Sequence, residues 1–217
     1  MTDYATRRTV MVDTQVRPSD VTKFPIIDAM LSVPREAFVP QLLREAAYLG
    51  ENLDLAEGRV VLDPRILAKM LDALDIQPDD LVLDIGPAYG YSSAIIAHMA
   101  EAVVGVEPDA ELAEEAQRIL SEHDVDNVLV QQADLTAGAP EHGPYDAVAV
   151  QGGIERLPDA IAAQIKDGGR IACIFMQGTM GVVRIGYKYD GRITWRDSFD
   201  AGAPVLPGFE KRSEFAL

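Results

Sequence analysis

The apolar run Leu81-Val82-Leu83-Asp84-Ile85 leads into a loop holding Gly86 and Gly90, and helical patterning starts at Tyr91. A second apolar run, Val103-Val104-Gly105-Val106, ends in Glu107. Strand, glycine loop, helix and strand in that order form a βαβ unit, because parallel strands need a long crossover. Such a unit can hold an adenosine-type ligand over the carboxyl ends of its strands. The loop allows close backbone approach, and Glu107 can accept hydrogen bonds from both ribose hydroxyls.

The rest of the chain extends this pattern. Apolar runs at 81–85, 102–106, 128–132, 146–150 and 170–175 are expected strands, and amphipathic stretches at 91–100, 109–122 and about 156–165 are expected helices. Their alternation predicts an α/β fold, a doubly wound, mostly parallel sheet with helices on both faces. Residues 1–80 read as an N-terminal helical segment packed on a core spanning 81–217. Within that segment Phe24, Ile27, Met30 and Leu31 lie at helical spacing ahead of Pro34, and a second helix starts at Pro64. Near the end, two β-prone runs flank Asp190-Gly191, which predicts a C-terminal antiparallel hairpin.

Composition narrows the partners. A net charge of −16 on 217 residues repels phosphate backbones and anionic lipid, so neither nucleic acid nor membrane is expected as a partner. No apolar run approaches the roughly 20 residues of a membrane span, and Met1 to Arg8 precede no signal-type apolar core. The single cysteine, Cys173, has no internal partner, which is compatible with a reducing compartment, and the expected location is cytoplasmic. His98, His123 and His142 are scattered without metal-ligand spacing, so no metal site is expected.

The loop itself selects among adenosine ligands. A nicotinamide-binding turn needs Gly-x-Gly-x-x-Gly, which Gly86-Pro87-Ala88-Tyr89-Gly90 does not provide. Asp84, just ahead of the loop, disfavours a pyrophosphate and suits a ligand with a cationic ammonium. Asp84, Gly86 and Gly90 resemble the first motif of class I S-adenosylmethionine-dependent methyltransferases, with Ala88 in place of the middle glycine. Ala88 is a modest intrusion provided its backbone is not left-handed. A third acid, Asp134, ends the run Val128-Leu129-Val130-Gln131-Gln132 and, with Leu135, is expected beside adenine. Acids at strand ends also solvate turns or cap helices, and that simpler reading stays open for each one singly.

The N-terminal third is more specific. Met11-Val12-Asp13-Thr14-Gln15 and then Val33-Pro34-Arg35-Glu36-Ala37-Phe38-Val39-Pro40 resemble the opening of protein-L-isoaspartate O-methyltransferases. Read without that resemblance, the octet describes a buried helix-to-loop corner. The resemblance continues through Gly58-Arg59-Val60-Val61-Leu62-Asp63-Pro64 and covers nearly the whole chain. It implies S-adenosylmethionine as cofactor, S-adenosylhomocysteine as product, and isoaspartyl proteins or peptides as substrate. Cofactor contacts would then fall to Asp84, Gly86, Ala88, Gly90, Glu107, Asp134 and Leu135. Substrate contacts would fall to Val61, Leu62, Arg65, Gln151 and Gly152.

One departure stands out. The family's Ser or Thr aligns with Leu62, its preceding Thr with Val60, and the His after the proline with Arg65, so the orienting hydroxyls are gone. Methyl transfer to an ionised carboxylate needs alignment more than a base, and no catalytic residue is assigned. Arg59 and Arg65 read as solvated surface charges, and Gln151-Gly152-Gly153 as a turn after the strand ending at Val150. Two other readings remain open: a homologue that binds the cofactor but has lost repair, and a methyltransferase acting on another carboxylate.

Overall fold

The structure, a computed structural model, describes residues 3–55 and 58–211. Met1, Thr2, residues 56–57 and residues 212–217, which fall within the ranges expected above, lie outside the described residues. The chain opens with helix α1 (Tyr4–Met11), capped by the Asp3 side chain, and runs through a π-helical turn into α2 (Phe24–Ser32). A short antiparallel pair, β1 (Leu53–Asp54) with β2 (Val60–Val61), precedes α3 (Pro64–Leu74). Asp63 caps α3 by accepting from the Arg65 amide, and Pro64 fills the first position, where no N–H is needed. The helix ends at Asp75 in the left-handed region.

The main sheet follows. It contains β3 (Leu81–Ile85), β4 (Ala102–Glu107), β5 (Val128–Gln132), β6 (Tyr145–Ile154), β7 (Ile165–Gln177), β8 (Met180–Tyr189) and β9 (Arg192–Asp200). Helices α4 (Tyr91–Ala97), α5 (Ala110–Glu122) and α6 (Asp159–Gln164) supply crossovers. The strand order is β5-β4-β3-β6-β7-β8-β9, with parallel pairing from β5 through β7. β8 and β9 are antiparallel and joined by Asp190-Gly191, both at positive φ as a two-residue hairpin turn of this kind requires. The register shifts opposite Val183/Arg184, leaving β9 as a bulged edge. The order reverses between β3 and β6, and there the carboxyl ends of a doubly wound sheet open a crevice.

The expected sheet, helices and hairpin are all present, with corrections at the edges. β6 continues four residues past Val150, so Gln151, Gly152 and Gly153 are strand rather than turn. β7 starts at Ile165 instead of 170. Phe24 is exposed, and Ile26 joins Ile27 and Met30 on the buried face of α2. Buried residues from α2, α3, α4 and one face of the sheet form a single apolar cluster, and a second cluster lies on the opposite face. Val33, Arg35, Phe38 and Val39 of the N-terminal octet are all buried, so here the octet packs the corner.

Candidate functional site

At the point where the strand order reverses, the loop after β3 turns through Gly86 (φ 78°), Ala88 (φ 51°) and Gly90 (φ 92°). Ala88 therefore occupies the left-handed region that its expected tolerance excluded, a conformation costing roughly 1–2 kcal/mol for a residue with a Cβ. What holds it there is a hydrogen bond: its amide donates to Glu107 Oε2 at 3.0 Å. The close packing of Gly90 against Leu120 and Ala116 of α5 fixes the other end of the loop.

Glu107 closes β4 with no solvent exposure, a position a carboxylate holds only when fully hydrogen-bonded. Its partners account for that. Ala88 N and Asp109 N (3.4 Å) donate from the backbone, and the Arg59 guanidinium donates through Nη1 (2.8 Å) and Nη2 (2.7 Å). Arg59 is 8% exposed and joins Glu107 as a two-pronged ion pair, which corrects its reading as a solvated charge. Sequence gave no sign of this pairing, because a lone arginine carries no mark of which distant acid it will meet. A cavity of about 300 Å³ adjoins the pair, lined by Leu55, Tyr89, Asp109, Leu112 and Pro207 among others.

Asp84 is equally buried, but it does not face that cavity with a free oxygen. Ser92 and Ser93 donate to Oδ2 at 2.6 and 2.7 Å, and Gln151 donates to Oδ1 at 2.7 Å. Burial pushes its carboxyl above the usual carboxylate range, while these three bonds pull it down. Asp84 thus ties β3 to α4 and β6, with both of its oxygens already hydrogen-bonded within the protein. Gln151 is consumed by the same knot.

Asp134 is exposed and caps its own turn, accepting from Thr136 N and Oγ1 at 2.8 Å each, while Leu135 is buried. Val61 and Leu62 are buried in the apolar cluster, and the Leu62 carbonyl accepts from Arg35 Nη2. Arg65 is exposed on α3, away from any described ion pair or side-chain hydrogen bond.

A feature without periodicity completes the site. Residues 203–210 run as an irregular strap across the strand ends. Pro204 O accepts from Gly153 N (2.8 Å), Leu206 N donates to Gly153 O (2.9 Å), and Phe209 O accepts from the amides of Glu155 and Arg156. Leu206 and Phe209 are fully buried. A Cβ on Gly152 would meet Leu206 at 2.7 Å, and one on Gly153 would meet Ala203 O at 2.6 Å, so both glycines exist to let the strap lie down.

Comparison with known proteins agrees with this architecture. The profile of the protein-L-isoaspartate(D-aspartate) O-methyltransferase family matches residues 7–197. A protein-L-isoaspartate O-methyltransferase 2 of Pelobacter propionicus is 37% identical over 83% of this chain and 82% of its own length. A protein-L-isoaspartate O-methyltransferase of Syntrophus aciditrophicus is also 37% identical, over 79% of this chain and 78% of its own. Among solved structures, a Plasmodium falciparum putative protein-L-isoaspartate O-methyltransferase in complex with S-adenosyl-L-homocysteine superposes with a TM-score of 0.79. It covers 95% of this chain and 99% of that one at 18% identity, a likeness of fold.

Proposed function

The chain belongs to the protein-L-isoaspartate(D-aspartate) O-methyltransferase family, and from that premise we propose that it methylates the carboxylate of L-isoaspartyl residues in damaged proteins or peptides, using S-adenosylmethionine. The observation that carries this reading is Glu107. A buried carboxylate at the strand end next to the reversal, steadied by two backbone amides, turns a pair of acceptor positions towards the crevice. The Arg59 fork now satisfies that pair. A fork of two parallel donors stands in for the two vicinal hydroxyls of a ribose, so the residues present fit an adenosyl group.

When bound, the cofactor supplies an electrophilic methyl on a cationic sulfur. Transfer of that methyl to a substrate carboxylate would need no proton moved, so no general base is required of the chain. The chain's part is placement and exclusion of water. Glu107 would hold the sugar, Asp134 and Leu135 would border adenine, and the Gly86–Gly90 loop would admit the nucleoside to the backbone. Leu206 over Gly152 would screen the reacting end from solvent. The acidic surface and the lack, among described residues, of any helix able to cross a membrane fit a peptide substrate met in the cytoplasm.

Transfer of labelled methyl from S-adenosylmethionine to an isoaspartyl peptide, scored as base-labile ester against the matching aspartyl peptide, tests the reading. Saturable, isoaspartyl-dependent ester formation is expected. Equal labelling of both peptides, or none at saturating cofactor, would remove it.

A further inference from the structure

We propose that Arg59 is an internal competitor for the cofactor: its guanidinium occupies the ribose position on Glu107, and the nucleoside binds only when Arg59 leaves. This rests on the functional reading above.

The case is one of acceptor capacity. A carboxylate offers about four lone-pair sites. On Glu107 two are taken by Ala88 N and Asp109 N, and the remaining two by Arg59 Nη1 and Nη2. None is left for a diol. Space points the same way. A Cβ built on Gly86 would lie 3.2 Å from Arg59 Nη2, so the guanidinium sits on the open side of the glycine loop, where a nucleoside has to pass. Charge adds to this, because a cationic sulfonium entering beside an arginine meets repulsion.

The arginine is also held incompletely. Its Nε is buried with no partner, while every oxygen site of Glu107 is filled. A guanidinium that leaves for the neighbouring cavity or solvent recovers that donor, and ribose hydroxyls replace its bonds to Glu107. Two states therefore exist, one with Arg59 on Glu107 and one with the site free. If the free state is populated at about 0.1–10%, apparent affinity is weakened about 10- to 1000-fold.

Calorimetry with S-adenosylhomocysteine compares wild type with Arg59→Met, which keeps the apolar stem and removes the fork. Binding about tenfold tighter or more in the variant is expected. Because Arg59→Met strands a buried carboxylate and can weaken folding, a second measurement uses the native chain. Phenylglyoxal modification, mapped by mass spectrometry, should spare Arg59 in the free protein and reach it at saturating S-adenosylhomocysteine, with exposed Arg17 modified in both. Wild-type binding with Arg59 still protected, or a folded Arg59→Met with unchanged affinity, overturns the proposal and leaves the functional reading standing. Failure of both proteins to bind the nucleoside removes the functional reading and the competitor with it.

Discussion

Adding one methyl group at Gly153 tests how the strap is seated. In Gly153→Ala the new Cβ falls 2.6 Å from Ala203 O, 2.6 Å from Met176 Cγ and 3.1 Å from Pro204 O. Two of these are backbone atoms, so a rotamer change cannot relieve the clash. The chain has two responses. It can keep the strap down and absorb overpacking, at about 1–3 kcal/mol. It can instead lift the strap, losing the Gly153 N–Pro204 O and Leu206 N–Gly153 O bonds at about 0.5–1.5 kcal/mol each. Lifting also exposes Leu206, for a further 1.5–3 kcal/mol or so. The cheaper route is strain. Reduced chain entropy of the unfolded alanine variant offsets about 0.4–1 kcal/mol, leaving a net loss near 1–2 kcal/mol. Gly202→Ala is the control, since its Cβ would find nothing nearer than 3.9 Å and its φ is not positive; it should be neutral or slightly stabilising. Urea unfolding should separate the two variants by about 2 kcal/mol at equal m. If they agree within about 0.5 kcal/mol, the strap does not lie on β6 in solution and the account of Gly152 and Gly153 fails with it.

Other substitutions probe neighbouring claims. Leu62→Ser should cost about 2–5 kcal/mol in chemical denaturation, because Leu62 is 2% exposed within the core; a stable variant with faster isoaspartyl methylation would instead place that side chain at the substrate. Arg35→Ala orphans the buried carbonyls of Ala47 and Leu62, each worth about 1–3 kcal/mol, so thermal melting should fall by several degrees. An unchanged melting temperature would show those carbonyls finding water. Burial pushes the Cys173 thiol well up, so iodoacetamide at pH 8 should leave native protein unlabelled and label it fully in urea. Rapid native labelling would mean that β7 opens.

Much of the architecture was legible because it rests on local periodicity. Apolar runs closed by Asp84 and Glu107, the punctuation of Pro64, and Asp190-Gly191 each act over a few residues, and each produced the expected element. The site was legible only as positions. That Glu107 would close a strand followed from the pattern, but its burial and its pairing with Arg59, 48 residues earlier, depend on how the β1–β2 pair docks, which no local pattern encodes. The strap was invisible for a related reason. Ala203 to Glu210 have no repeat, and their hydrogen bonds run to Gly153, Glu155 and Arg156, so paired glycines in β6 looked like a turn instead of a landing surface. For Ala88 the sequence shows a methyl group but not the sign of φ, the condition on which its tolerance turned.

The bulged outer margin at β9 has a bearing on how the molecule behaves in crowded solution. A terminal strand leaves one row of amides and carbonyls without a neighbouring strand, an invitation to stack with another chain. Here Arg192, Arg196, Asp197 and Asp200 are all partly or fully solvent-facing along that row, and the shift opposite Val183/Arg184 breaks its regular spacing. An approaching flat strand would have to desolvate those charges and match an uneven ladder, so growth of the sheet stops at this margin.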